Sequence, residues 1–117
     1  METAKFTMIQ CVFKGERLYD VQKTMEDIDV VGITIWEVKG HGRQKGHIEH
    51  YRGLETKVNL LPKLMLEIVV PNSEVEIIVE SLLKAARTGD IGDGKIFLLP
   101  VADVIRVRTG DRGIKAI

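Results

Sequence analysis

Apolar and polar residues alternate over several short segments of the chain, a spacing that is typical of half-buried strands. In the first of these segments Ile9, Cys11 and Phe13 share one face. Two further segments have helical spacing, and the second opens with a capping box at Ser73–Glu76. The predicted elements are, in order, a strand at Phe6–Phe13, a helix at Glu16–Ile28, strands at Gly32–Val38 and Lys63–Val70, a helix over Val75–Leu83, and strands at Lys95–Leu99 and Val104–Arg108.

This order predicts an α+β domain with the ferredoxin-like βαββαβ arrangement. No linker interrupts it, so residues 1–117 are expected to form a single domain. The connection of residues 39–62 is unusual, because a hairpin between neighbouring strands needs only about 2–5 residues. It is highly charged, lacks apolar periodicity and begins with a glycine-rich cationic run. We expect a mobile arm that becomes ordered when an anion binds.

A glycine-rich segment, T-G-D-I-G-D-G-K at Thr88–Lys95, separates the second predicted helix from the strand that follows. Its three glycines let the backbone approach a ligand, and its final lysine supplies a charge for phosphate. The segment fits G-x-x-x-x-G-K, but Ile96 replaces the Ser/Thr that would bind magnesium, and a strand follows instead of a helix. We therefore predict a phosphate-binding loop at residues 87–95 that is not a P-loop.

Two arginines add to this prediction. Arg106 and Arg108 are two residues apart on a predicted strand, so both guanidinium groups should face the same way and clamp a phosphate. The alternative is a solvated edge strand, which is the usual environment of arginine. The neighbouring glycine loop favours the clamp.

Composition excludes several classes of protein. Lysine plus arginine equals aspartate plus glutamate, whereas nucleic-acid-binding domains usually carry a basic excess. Only 5% of the residues are aromatic, so the paired aromatics of RNA-binding sheets are missing. No nucleophile–base pairing stands out, which gives an enzyme little support. The three histidines, His41, His47 and His50, lie in the long connection, where solvated side chains are favoured over a zinc site.

The single cysteine and the start of the chain indicate a cytoplasmic location. Cys11 lies in an apolar segment and is expected to be a buried structural thiol in a reducing compartment. The first residues lack a signal-peptide pattern, and no apolar run reaches membrane-spanning length. Any membrane role would then depend on a partner.

Several segments together carry a resemblance to a known family. They are Lys39–Gly46 (K-G-H-G-R-Q-K-G), Tyr51–Gly53, Lys63–Val70, Thr88–Leu98, Arg106–Gly110 and the final Ala116-Ile117. In one register over nearly the whole chain, the sequence closely resembles the PII nitrogen-regulatory signal-transduction proteins; Gly15–Asp29 is the least similar stretch. The resemblance implies a homotrimer with nucleotide sites in the clefts between subunits. It also implies a non-enzymatic regulator that senses ATP, ADP and 2-oxoglutarate and reports through the long effector loop of residues 39–62.

The resemblance also assigns site residues. The implied nucleotide-binding residues are Thr34, Gly40, Gly42, Arg43, Glu67, Val69, Gly92, Asp93, Gly94, Lys95, Arg106 and Arg108, with the last two reaching across from a neighbouring subunit. Those implied for 2-oxoglutarate are Lys14, Gln44, Lys45, Gly46, Lys63 and Gly92. Gln44 would also bind the Mg²⁺ that accompanies ATP, and the keto acid would complete the shell of that ion.

The loop departs from the family at its modification sites. Thr56 stands where many bacterial members carry a uridylylated tyrosine, and Leu54 stands where some cyanobacterial members carry a modified serine. We therefore expect signalling by ligand occupancy without uridylylation. Tyr51 and Arg52 are implied to dock on a target, which the sequence leaves open among an ammonium transporter, glutamine synthetase, nitrogenase and a transcription regulator. A dedicated nitrogenase regulator, a small nucleotide-hydrolysing enzyme and a metal-handling trimer are the alternatives.

Overall fold

A computed structural model describes residues 4–41, 48–51, 54–57 and 60–117, the second and third of these ranges as backbone alone. The strands and helices, in chain order, are β1 (Phe6–Phe13), α1 (Leu18–Asp27), β2 (Thr34–Gly40), β3 (Ile48–Tyr51), β4 (Leu54–Lys57), β5 (Leu61–Pro71), α2 (Val75–Ala86) and β6 (Ile96–Val101). Short 3₁₀ turns lie at Gly15–Arg17, Asn72–Glu74 and Gly113–Ala116.

Four strands form one antiparallel sheet in the order β2-β5-β1-β6. The neighbours in space are not the neighbours in sequence, because each helical connection passes over an intervening strand. This order confirms the predicted βαββαβ arrangement. In the part of the chain that the structure describes, strands β3 and β4 pair only with each other, as a separate antiparallel ribbon.

The core lies between the two helices and one face of the sheet. Alternation places Ile9, Cys11 and Phe13 of β1 on this face, as predicted, and all three are buried. Val21 and Met25 of α1 and the apolar stripe of α2 cover them. Full burial of each large apolar side chain stabilises the fold by about 1.5–3 kcal/mol.

The thiol of Cys11 belongs to this core, and burial raises its pKa to about 11. It therefore stays protonated and unreactive at neutral pH, which confirms the prediction of a buried structural thiol.

Among the described residues, no helix covers the opposite face of the sheet. Trp36 on β2, Phe97 and Leu99 on β6 alternate with the residues of the core face, and they remain 39%, 46% and 39% exposed in the single chain. Apolar side chains of this size on an open sheet face are typical of a surface that another protein covers.

Two predictions about local structure are wrong. The helix after Pro71 begins with a 3₁₀ turn, its N-cap residue is Glu74, and no side chain caps it. Instead Asn72 donates from Nδ2 to the carbonyl of Ala4, and its Oδ1 accepts a hydrogen bond from the hydroxyl of Thr7. These two bonds connect the start of the described chain to the end of β5. The first helix likewise starts as a 3₁₀ turn before α1, so its predicted start at Glu16 is too early.

The predicted terminal strand at Val104–Arg108 does not exist. Only Ile105 forms a bridge, with Arg112. Between them the chain turns tightly, because the N–H of Gly110 donates to the carbonyl of Arg106 at 2.7 Å and Gly110 has φ +73°. The long connection also differs from its prediction, since it contains the β3–β4 ribbon and contributes the end of β2 and the start of β5. Its predicted mobility falls largely on residues outside those described.

Candidate functional site

The glycine loop begins where α2 ends and rests on the end of β1. The carbonyl of Lys95 accepts a hydrogen bond from the N–H of Val12 at 2.9 Å. Gly94 has φ +97°, and a Cβ placed there would lie 1.8 Å from the carbonyl oxygen of Val12. Only glycine combines this backbone conformation with such a close approach. The sequence thus fixes where the loop lies against the sheet.

The carboxylate of Asp93 closes the loop from inside. One oxygen, Oδ2, accepts the N–H groups of Thr88 at 3.0 Å and Gly89 at 2.9 Å, and the other accepts the hydroxyl of Thr88. These bonds, first of all that from the Thr88 hydroxyl, lower the pKa of Asp93 to about 2, with a smaller contribution from the Lys14 ammonium. Asp93 is therefore ionised at any physiological pH.

Two lysines reach the loop from different parts of the chain. The ammonium of Lys14, just after β1, donates to Thr88 Oγ1 at 3.1 Å and lies 3.6 Å from Asp93 Oδ1. The ammonium of Lys63, on β5, donates to the carbonyl oxygen of Gly92 at 2.6 Å. Burial, and then the positive charge of Lys14, lower the pKa of Lys63. The two ammonium groups are therefore close enough to repel each other.

A cleft of about 680 Å³ lies between the glycine loop and the facing ends of β2 and β5. Six of the residues assigned from the resemblance line it together: Gly40, Lys63, Gly92, Asp93, Gly94 and Lys95. Val12, His41, Leu61, Asp90, Ile91 and Phe97 complete the lining. The volume is that of a pocket for a cofactor-sized molecule.

Three of the residues that the resemblance assigns to the nucleotide, Thr34, Glu67 and Val69, lie on the open face of the sheet. Thr34 and Glu67 are direct partners in the β2–β5 pairing, and Val69 is two residues further along the same face. Gln10 on β1 is the other neighbour of Glu67, and its Nε2 donates to Glu67 Oε2 at 2.8 Å. Phe97, which lines the cleft, is in turn the partner of Gln10.

Arg106 and Arg108 do not line the cleft within one chain. They belong to the C-terminal turn, where Arg106 donates from Nη2 to the carbonyl of Ile117 at 3.3 Å. The argument that both guanidinium groups face one way from a strand therefore fails. Val107 between them is 99% exposed. The C-terminal turn is therefore largely exposed to solvent in the single chain.

Other assigned residues fall outside the described part of the chain, namely Gly42, Arg43, Gln44, Lys45, Gly46 and Arg52. For Tyr51, Leu54 and Thr56 only the backbone is described. In the described ranges no group of three His, Cys, Asp or Glu side chains could hold a metal ion. Among the same residues, no helix is both long and apolar enough to cross a membrane.

Sequence reasoning missed the parts played by Thr88 and Gln10. Thr88 was included in the glycine motif without a role, although a hydroxyl residue directly after a helix, followed by an aspartate in a glycine-rich loop, is a signal for local side-chain to backbone bonding. Gln10 is a polar residue in an apolar strand, and its partner is identified only by the strand register.

Comparison with known proteins finds matches over nearly the whole chain. Residues 6–111 match the family model described as Nitrogen regulatory protein P-II. Over 109 residues the chain is 49% identical to nitrogen regulatory protein P-II 1 of Escherichia coli strain K12 and 48% identical to nitrogen regulatory protein P-II of Azospirillum brasilense, in both cases covering 93% of this chain and 97% of the relative.

A solved structure, Arabidopsis thaliana PII bound to citrate, matches with a TM-score of 0.80 and 38% identity, over 97% of this chain and 94% of that one. The four-stranded antiparallel sheet with two helices is thus shared with a PII protein. With nearly the whole chain covered by the family model and by relatives near half identity, the protein belongs to the nitrogen regulatory protein P-II family of signal-transduction regulators.

Proposed function

We propose that this chain is a non-enzymatic nitrogen regulator that binds ATP or ADP in the cleft and 2-oxoglutarate beside it. One observation carries the proposal: the glycine loop, with Lys95, forms one wall of the cleft, and Lys63 projects from the facing strand. Backbone amides and two ammonium groups around one space suit a ligand with several anionic oxygens.

In this proposal the phosphates bind against Gly92–Lys95, and Lys95 supplies a point charge to them. Thr34, Glu67 and Val69 surround the base, where the Glu67 carboxylate accepts from an exocyclic amino group. Gly40, Gly42 and Arg43 contribute from the end of β2 and the start of the long loop. In this proposal the nucleotide acts as a signal and is not turned over.

The keto acid would bind next to the phosphates, with Lys63 neutralising its distal carboxylate and Gln44, Lys45 and Gly46 closing over it. The citrate in the Arabidopsis structure supports a site for small polycarboxylates in this family. The described cleft residues offer cations and amides and no cluster of metal ligands. Mg²⁺ keeps several waters and takes few protein ligands, so it would fit such a site through Gln44 and the oxygens of the nucleotide and the keto acid. When bound, the ion supplies a positive charge shared by phosphate and keto acid.

A homotrimer would complete this site. The open sheet face, with Trp36, Phe97 and Leu99, provides the apolar surface for association. Arg106 and Arg108 do not line the cleft of their own chain, and a neighbouring chain could bring them to it on the exposed C-terminal turn. The long loop, with Tyr51 and Arg52, would then dock on a target such as an ammonium transporter, glutamine synthetase, nitrogenase or a transcription regulator, and ligand occupancy would control docking.

Equilibrium binding of ATP and ADP to the wild type and to Lys95→Ala tests this function. Loss of one charge-assisted contact should weaken both nucleotides by about 1.5–3 kcal/mol. Lys84→Ala removes an exposed lysine from the last turn of α2 and serves as the matched control. A wild-type protein that binds neither nucleotide would refute the function, and unchanged affinity in Lys95→Ala would mean that the phosphates bind elsewhere.

A further inference from the structure

We propose that Lys14, Thr88 and Asp93 form a brace that holds the phosphate-binding loop in shape, so that Lys14 positions the loop for nucleotide and is not a ligand of the keto acid. This inference rests on the proposed function of the same cleft. It assigns roles to Lys14 and Asp93 that differ from those implied by the resemblance, and it adds Thr88 to the site.

The carboxylate of Asp93 occupies the two amides at the start of the loop. Thr88 N–H and Gly89 N–H both donate to Asp93 Oδ2, and the N–H of Asp90 donates to Thr88 Oγ1 at 3.2 Å. These three amides are therefore engaged within the loop. Phosphate must be met by the later part of the loop, from Gly92 to Lys95, which lines the cleft.

Lys14 links this closed turn to the end of β1. Its ammonium donates to Thr88 Oγ1 and lies 3.6 Å from Asp93 Oδ1, and its side chain is only 14% exposed. The Lys14 side chain thereby connects two positions that are 74 residues apart in sequence. In the 3₁₀ turn that follows Lys14, Arg17 donates from Nε to the carbonyl of Ala85 at 2.8 Å. The segment after β1 therefore also holds the end of α2, where the glycine loop begins.

The charge of Lys14 has a second effect. Asp93 places a carboxylate in a loop that receives phosphates, and like charges at short range oppose binding. The Lys14 ammonium offsets that carboxylate. Removing Lys14 should therefore weaken nucleotide binding through both the shape and the charge of the loop, although Lys14 itself touches no phosphate.

The test compares two variants that differ by one hydroxyl. Thr88→Val removes the hydroxyl at constant shape, and Thr88→Ser retains it. Calorimetry of ATP binding should show affinity reduced about tenfold or more in Thr88→Val, since a charge-assisted hydrogen-bond network is broken, and largely restored in Thr88→Ser. Thr7→Val, which removes one side-chain hydrogen bond at the far end of β1, is the control and should leave ATP affinity unchanged.

A second comparison separates positioning from direct contact. Lys14→Met should weaken ATP and ADP alike, and 2-oxoglutarate affinity measured at saturating Mg-ATP should stay near the wild-type value. Combining it with Thr88→Val should cost less than the two losses added together, because both variants break one network. Lys23→Met, which removes an exposed ion pair on α1, is the control for loss of a lysine.

The outcomes are distinct. A wild type without ATP binding refutes the proposed function and the brace with it. A wild type that binds ATP, together with a Thr88→Val that binds equally well, refutes the brace alone. A Lys14→Met variant that keeps its ATP affinity and loses 2-oxoglutarate affinity makes Lys14 a ligand and also overturns the inference. If Thr88→Val fails to fold, the Lys14→Met comparison decides.

Discussion

The close contact between Gly94 and β1 makes Gly94→Ala the sharpest perturbation of the loop. Its Cβ would lie 1.8 Å from the carbonyl oxygen of Val12, and ordinary contact begins near 3.4 Å. The loop must therefore retreat from β1 by about 1.5 Å. A movement of this size breaks the hydrogen bond from Val12 N–H to the carbonyl of Lys95 and displaces the Lys95 side chain from the phosphates.

Gly89→Ala provides a matched control for this variant. Gly89 has φ +91° and Gly94 has φ +97°, so alanine costs about 1–2 kcal/mol of backbone strain at either position. No atom lies within 4 Å of a Cβ at Gly89, and its N–H, which bonds Asp93, is retained. The difference between the variants isolates the close contact.

We expect Gly94→Ala to lower the free energy of unfolding by about 2–4 kcal/mol more than Gly89→Ala does, from overpacking and the lost hydrogen bond. Its ATP affinity should fall at least tenfold, and that of Gly89→Ala much less. Urea unfolding gives the first quantity and calorimetry the second. Equal losses in the two variants would show that the loop does not depend on its contact with β1.

Two further predictions concern the loss of folding stability at low pH and the interface of the expected trimer. The pKa of Asp93 is lowered to about 2, below the ordinary value of 3.8 for an aspartate, so its contribution to stability is complete above about pH 4 and is lost as the pH falls toward 2. Over this pH interval the free energy of unfolding of Asp93→Asn should fall less than that of the wild type. Parallel plots of unfolding free energy against pH would contradict the assignment. Phe97→Asp places a charge on the open sheet face and should convert the expected trimer to monomer in sedimentation equilibrium, whereas Tyr19→Asp, on an exposed position of α1, should not. A Phe97→Asp variant with the wild-type mass would exclude this face as the interface.

The central strands and α2 could be predicted from the sequence because burial imposes their period. β1 was predicted to the residue, and within the predicted strand at Lys63–Val70 the alternating residues Leu66, Ile68 and Val70 face the core. The limits of β2, β5 and β6 were predicted less well, since pairing continues beyond the predicted ends, as where Lys39 and Gly40 of β2 pair with Pro62 and Leu61 of β5. Pro71 still ends β5, but as its last residue.

The errors have a common physical origin. The segment Val104–Arg108 alternates like a strand, but the turn around Gly110, held by bonds between Thr109 and Asp111, leaves it a single bridge, from Ile105 to Arg112, among the described residues. The β3–β4 ribbon was missed for the opposite reason, because its segments I-E-H-Y and L-E-T-K lack the apolar alternation that predicts a strand. Pairing is a property of two segments, and a one-segment pattern does not contain it.

The candidate site was also predicted only in part. The glycine motif predicted the position of the phosphate loop, and the resemblance predicted that Lys63 would lie near it. The contact of Lys14 with Thr88, and the pairing of Gln10 with Glu67, connect residues 74 and 57 positions apart. Such contacts follow from strand register and loop path, so they emerge only with the fold.

Calorimetric titration of 2-oxoglutarate under three conditions tests the central proposal most directly. The protein is saturated with Mg-ATP, saturated with Mg-ADP, or left without nucleotide. We predict tight binding with Mg-ATP and weak or no binding in the other two, because in the proposed function the γ-phosphate and Gln44 would together hold the ion that the keto acid chelates. Equal affinity for 2-oxoglutarate in all three conditions would contradict a nitrogen regulator that reads both ligands at one cleft.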